Sequence, residues 1–208
     1  MFDSLIPLFS ITIALMLGAM SPGPSFVHVV RISVSKSRQH GLFTALGTGT
    51  GAAILGLLAV MGLQAVLLAV PSAYLILKIG GGLYLLWLAY KILKHAKEPV
   101  DVDQTDKPMM SYAQAYRLGL LTQLSNPKTA VVLASIFTAL LPKEIPTYYY
   151  VVLPVVCFVI DAGWYTLVTL LFSLAKPRAL YLKTKTIIDR LAGGVITILG
   201  LKLIFSSK

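Results

Sequence analysis

Charge is scarce in this sequence of 208 residues. Asp, Glu, Lys and Arg together make up 12%, and only 8 residues are acidic. A soluble domain of ordinary composition carries about 25% charged residues. With 57% of its residues hydrophobic, a water-soluble fold of this size could not cover its apolar surface, which excludes a soluble enzyme and a disordered chain. Cysteine is nearly absent. Cys157 stands alone, so no intrachain disulfide, thiolate cluster or dithiol mechanism can be built, and it reads as a small buried apolar residue. There are 3 histidines and no G-x-S-x-G, H-E-x-x-H or G-x-x-x-x-G-K pattern, so no enzyme, no metal and no cofactor is expected.

What is present is long apolar sequence. Six stretches are predicted as helices, at about 5–30, 41–67, 71–93, 113–141, 147–174 and 188–206. A spanning helix needs about 20 residues, so six spans with short loops fill the chain and leave no room for a soluble domain. The fold class is an all-α integral membrane protein, a single transmembrane domain over 1–208. The first segment has Asp3 and no basic region before it, and reads as a retained helix, not a cleaved signal.

Lysine and arginine alternate between connectors. Arg31, Lys36 and Arg38 follow the first stretch. Lys91, Lys94, Lys97, Lys107 and Arg117 surround the third connector, and Lys176, Arg178, Lys183, Lys185 and Arg190 the fifth. The fourth holds only Lys143 and the C-terminal tail Lys208. This asymmetry predicts connectors one, three and five in the cytoplasm and both termini outside; the expected location is the inner membrane of a prokaryote. The net charge of +10 then reads as a topological signal and contact with anionic membrane lipid, with no nucleic-acid partner.

The longest polar stretch, about 94–111 with Glu98, Asp101, Asp103 and Asp106, divides the chain into repeat one (about 1–93) and repeat two (about 112–208). The halves echo each other. Ser21-Pro22-Gly23-Pro24 interrupts the first helix and Ser125-Asn126-Pro127-Lys128 the fourth; Lys78 precedes Gly81-Gly82 as Arg190 precedes Gly193-Gly194. Three helices per half is odd, so the second half is predicted upside down relative to the first, a recurring transporter design.

The breaks are candidate sites. Proline lacks an N–H and clashes with the carbonyl four residues back, so Pro22 and Pro24 free the carbonyls of Gly18 and Met20, and Pro127 that of Gln123. The half-helix that begins at Pro24 would offer the N–H groups of Ser25, Phe26 and Val27 to a carboxylate. Polar stripes run through Ser21, Ser25 and His28, through Thr122, Asn126 and Thr129, and through Asp161, Tyr165 and Thr169. Asp161 reads as the one carboxylate well inside a span. Such groups mark pathways, relays or charge pairs; it could exchange a proton, hold a substrate ammonium or pair with Lys128. His28 is a second candidate for proton handling. Tyr84, Trp87 and Tyr90 fit packing or an interfacial belt, and Tyr148, Tyr149 and Tyr150 an outer belt. The glycines at 47, 49 and 51 suit packing within the protomer first and a homo-oligomer second.

SPGP at 21–24, GTGTG at 47–51, GGGLYLLWLAYK at 80–91 and GLLTQLSNPKTA at 119–130 make the sequence resemble the LysE/RhtB family of amino-acid exporters, closest to its threonine-efflux branch. The resemblance covers nearly the whole chain. It implies six helices in two inverted halves and export of a small amino acid in exchange for protons. Carried over by position, it points to Ser21, Pro22, Gly23, Pro24, Asn126, Pro127 and Lys128, and more loosely to Asp161 with Trp164. The alternatives are an exporter of another small solute or cation on a related fold, for which one buried Asp is too few, an intramembrane enzyme, and a structural subunit of a larger complex.

Overall fold

The structure, a computed structural model, describes residues 2–69, 71–97, 110–142, 144–173 and 175–205. Its regular structure is helical, with no β-strand among the described residues. The connector carrying Glu98, Asp101, Asp103, Asp106 and Lys107 lies outside them, as do Lys143 and Lys208.

The six apolar stretches become eight helices because two of them are broken. The first gives α1 (Phe2–Met20) and α2 (Pro24–Ser35). Neither Pro22 nor Pro24 can donate a backbone hydrogen bond, but Pro24 suits the first turn of a new helix. The axis turns by 58° across the break. The fourth stretch gives α5 (Tyr112–Leu124) and α6 (Pro127–Leu140). A capping box of Ser111 and Gln114 starts α5. Asn126 caps α6, its Oδ1 accepting from the Lys128 N–H at 3.0 Å, with Pro127 in the first turn.

The unbroken helices are α3 (Arg38–Ala69), α4 (Pro71–Lys94), α7 (Tyr149–Phe172) and α8 (Ala175–Phe205). Two expectations change here. Most of the connector expected over 64–73 is helical, α3 running to Ala69 and Pro71 opening α4. The basic segment 175–187, expected as a connector, is the first part of α8. Its Leu, Lys, Arg and Ala favour helix, and Pro177 sits in the first turn where it is tolerated. Hydropathy marks where a helix is apolar, not where it begins. By length and apolarity Arg38–Ala65 and Tyr149–Phe172 suffice to cross a membrane, and the bent pair Pro7–Met20 and Pro24–Ser35 makes a third.

Helix α3 packs between α5 and α7, and α4 packs on α8. Glycine sets these approaches. A Cβ on Gly47 would lie 2.1 Å from the Tyr116 carbonyl oxygen, and one on Gly119 2.2 Å from that of Thr44. Gly49 faces Ala162, so the strip at 47–51 is occupied within the protomer by α5 and α7. Gly41 faces Thr169 and Gly56 faces Cys157, so α3 and α7 run antiparallel. Gly82 faces Gly200 while Gly193 faces Leu93, so α4 and α8 do too.

The outward surface is apolar. Phe9, Leu58, Val151, Val159 and Ile198 all stand more than half exposed, a pattern that suits lipid and not water. Tyr148 is 45% exposed, whereas Tyr149 is fully buried against the core, so the expected tyrosine belt loses its central member. Described residues that flank the three basic segments gather at one end of the bundle. His40 Nε2 meets the Met110 carbonyl at 2.6 Å, the Tyr112 hydroxyl bonds Gln39, and Thr186 Oγ1 donates to the Ala96 carbonyl at 3.1 Å.

Candidate functional site

The two helix breaks meet. Lys128, in the first turn of α6, reaches across to the first break, and its Nζ donates to the Ser21 carbonyl at 2.7 Å. Its stem lies against Gly23, where a Cβ would stand 3.1 Å from Lys128 Cδ. Asn126 Nδ2 donates to Ser25 Oγ at 2.8 Å, and Ser25 Oγ donates to Gln123 Oε1. Gln123 Nε2 then donates to Asp161 Oδ2 at 2.7 Å. Every donor in this chain points towards Asp161. That polarity suits a carboxylate, which when ionised only accepts.

Burial makes the relay consequential. Ser25, Gln123, Asn126 and Asp161 are each at most 7% exposed. A polar group in such a place is costly unless paired. Asp161 Oδ1 and Ser21 Oγ are buried without a hydrogen-bond partner. Both stand beside cavities. Asp161, Tyr165, Asn126, Thr129 and Lys128 line a small one of about 50 Å³. A water needs roughly 10–15 Å³ by this measure, so the space holds a few waters. A second cavity of about 560 Å³ is lined by Pro22, Pro24, Pro127, Arg31, Trp87 and Asp189, among others. Gly23, Asn126 and Lys128 line both, and so form the boundary between them.

Most of the expected residues therefore come together: Ser21, Pro22, Gly23, Pro24, Ser25, Asn126, Pro127, Lys128, Asp161 and Tyr165. His28 lines neither cavity. The stripe Ser21–Ser25–His28 assumed one continuous helix, and the break destroys that periodicity. The same holds for Thr122–Asn126–Thr129: it is Gln123, not Thr122, that is buried against the site. Thr169 bonds Ser33 Oγ at 3.1 Å and leaves the cavity to Asp161 and Tyr165. The expected free N–H of Val27 is taken by the Gly23 carbonyl at 3.0 Å. The carbonyl of Gln123 accepts from the Asn126 N–H at 3.1 Å, so the carbonyl that holds a cation at the breaks is that of Ser21.

Two residues were missed. Gln123 was recognisable as an amide within an apolar run. Asp189 corrects the reading of Asp161 as the one deep carboxylate: it is 3% exposed, near the middle of α8, and lines the wide cavity. With the helix expected to begin at 188, it lay at the very edge of a predicted span. Lys128 lies in the field of both carboxylates, Asp189 more strongly than Asp161. No group of three or more metal-ligating side chains occurs among the described residues.

The LysE type translocator family model matches residues 16–207. The chain is 31% identical over 189 residues to the threonine efflux protein of Escherichia coli (strain K12), covering 90% of this chain and 92% of that protein. To the threonine efflux protein of Salmonella typhi it is 31% identical over 201 residues, 95% of this chain and 97% of that one. It is 28% identical over 186 residues to the uncharacterized membrane protein YahN of Escherichia coli (strain K12), covering 89% and 83%. No solved structure matches. With the family match running over nearly its whole length and through both helix breaks, the chain belongs to the LysE type translocator family.

Proposed function

We propose that this translocator is a secondary exporter of small neutral or hydroxy amino acids, threonine- or homoserine-like, driven by proton antiport across the inner membrane. The observation that carries the reading is the relay from Asn126 through Ser25 and Gln123 to Asp161 at the meeting of two broken helices. Broken helices that meet beside a buried charge are how many secondary transporters hold substrate. The similarity to threonine efflux proteins supports the substrate class.

In this reading the small cavity is the central substrate site, beyond the boundary at Gly23, Asn126 and Lys128. Asp161 Oδ1, buried and without a partner, takes either a proton or the substrate ammonium. Lys128 has donors beyond the one on Ser21 and takes the substrate carboxylate. Proton and ammonium compete for one oxygen, which is the minimal logic of antiport. Thr129 and Tyr165 line the same cavity and would meet the side-chain hydroxyl.

The architecture is read as one domain of six spans, α1–α2 and α5–α6 each counting as one, in two inverted repeats. A two-fold axis in the membrane plane makes equivalent helices antiparallel, and the antiparallel pairs α3 with α7 and α4 with α8 support this. The end where the residues flanking the basic segments gather is read as cytoplasmic, with both termini outside. The test is efflux and counterflow in proteoliposomes with a panel of amino acids at imposed pH gradients. Failure of every small neutral amino acid to exchange would sink the proposal.

A further inference from the structure

The wide cavity holds one acidic side chain that the central site leaves unused. Asp189 of α8 lines it together with Arg31 of α2, Lys91 and Lys128. Asp189 is 3% exposed and brings the carboxylate to this cavity from α8. Opposite in charge stands Arg31, whose Nε is buried without a hydrogen-bond partner. A guanidinium with an unused donor is a carboxylate site. The other two cations are engaged. The Lys91 ammonium lies 4.3 Å from the centre of the Trp87 ring, and Lys128 holds the Ser21 carbonyl. Lys91 also covers the aromatic face that could otherwise take an ammonium, which leaves that role to Asp189. Lys91 and His95, exposed at the rim, place the mouth at the end where the residues flanking the basic segments gather.

We propose that Arg31 and Asp189 form a loading site for an α-amino acid, the guanidinium taking its carboxylate and Asp189 its ammonium, before it passes Lys128 into the small cavity. This rests on the export reading above and adds a second site and its selectivity. Among the described residues lining the cavity, Arg31, Lys91 and Lys128 outnumber the one carboxylate, Asp189. A zwitterion with a neutral side chain fits that balance, whereas the extra positive charge of lysine or arginine is repelled.

The experiment is competition against radiolabelled L-threonine on the purified full chain in nanodiscs, paired with transport in proteoliposomes. The competitors are L-threonine amide, which lacks the carboxylate charge, N-acetyl-L-threonine, which lacks the ammonium, and L-lysine. On the wild type each should compete roughly tenfold or more weakly than threonine. Asp189→Asn should erase discrimination against the N-acetyl compound only, and Arg31→Gln that against the amide only. Each should raise the transport KM from the cavity side roughly tenfold with a smaller change in kcat, and Asp189→Glu should restore part of the loss. Asp189→Asn with wild-type KM and intact discrimination would overturn the loading site, as would lysine competing as well as threonine. Should the variants not fold, the wild-type lysine result still decides. If the wild type neither binds nor exchanges any neutral amino acid, the export reading itself fails, a different outcome from a working exporter indifferent to Asp189.

Discussion

Gln123 donates through Nε2 to Asp161 Oδ2 at 2.7 Å, while its Oε1 accepts from Ser25 Oγ. One amide thus ties α5, α7 and α2 together and fixes the direction of the relay. Gln123→Leu keeps the bulk but leaves buried groups of Ser25 and Asp161 unpaired, at about 1–3 kcal/mol each. A lowered melting temperature and loss of amino-acid exchange are expected in the purified variant. Wild-type exchange in Gln123→Leu would remove the relay from the mechanism.

Gly23 has a spatial task. It lines both cavities, and the Lys128 stem fills the space where its side chain would be. Gly23→Ala should push that stem aside and slow transport; Gly23→Leu should block the boundary and abolish it. Membrane insertion and oligomer size, read by size-exclusion chromatography, should not change. A Gly23→Leu protein that still exchanges threonine at the wild-type rate would contradict the shared boundary.

The glycine seam predicts a contrast in stability. Gly47→Ala and Gly119→Ala each drive a Cβ within 2.2 Å of a backbone oxygen, which rigid backbone cannot relieve cheaply. Both should lower the melting temperature or prevent purification. Gly62 and Gly163 have nothing within 4 Å of an added Cβ. Alanine there should be neutral or stabilising by about 0.5–1 kcal/mol. Equal melting temperatures across all four variants would show the seam to be loose.

Orientation can be tested by labelling. With Cys157 replaced, a cysteine at Ser37, in the basic connector after α2, should react only with reagent reaching the cytoplasmic face. One at Tyr148, 45% exposed at the start of α7, should react from outside. The reverse pattern would invert the assignment and with it the side from which the wide cavity loads.

The breaks and Asp161 were legible because their signals are local. Proline excludes a backbone hydrogen bond wherever it stands, and a carboxylate in an apolar run is conspicuous without any partner. Gln123 was not, because a stripe counted at 3.6 residues per turn assumes an unbroken helix, and Ser125-Asn126 resets the phase. Asp189 was hidden by the basic run before it. Hydropathy ends the apolar stretch near 188, yet lysine, arginine and leucine carry the helix back to Ala175, which puts Asp189 inside. The glycines were readable as close approaches, but not which helix would fill each, since that depends on residues far apart in the chain. Lys128 was readable as a deep cation; its hold on the Ser21 carbonyl follows only once the two breaks face each other.

Asp161 is where energy coupling should be tested. An exporter working against a gradient needs an energy source, and the sequence has no nucleotide-binding loop. A proton gradient can be used only through a group that binds a proton on one side and gives it up on the other. Asp161 has one oxygen held by Gln123 and the other buried without a partner beside the small cavity. A proton on Oδ1 therefore need not break the relay. Asp161→Asn is nearly isosteric, and its carbonyl oxygen can still accept from Gln123, so the fold and the broken helices should survive. What it loses is the exchangeable proton. The variant should retain part of the substrate-for-substrate exchange but fail to concentrate substrate when only a pH gradient is imposed. Both assays belong on the same liposomes, since loss of exchange as well would point to substrate binding, not coupling. If Asp161→Asn still accumulates substrate on a pH gradient alone, another group carries the proton. Asp189→Asn is then the next variant to test, because that carboxylate is buried and adjoins the pathway, whereas His28 lines neither cavity.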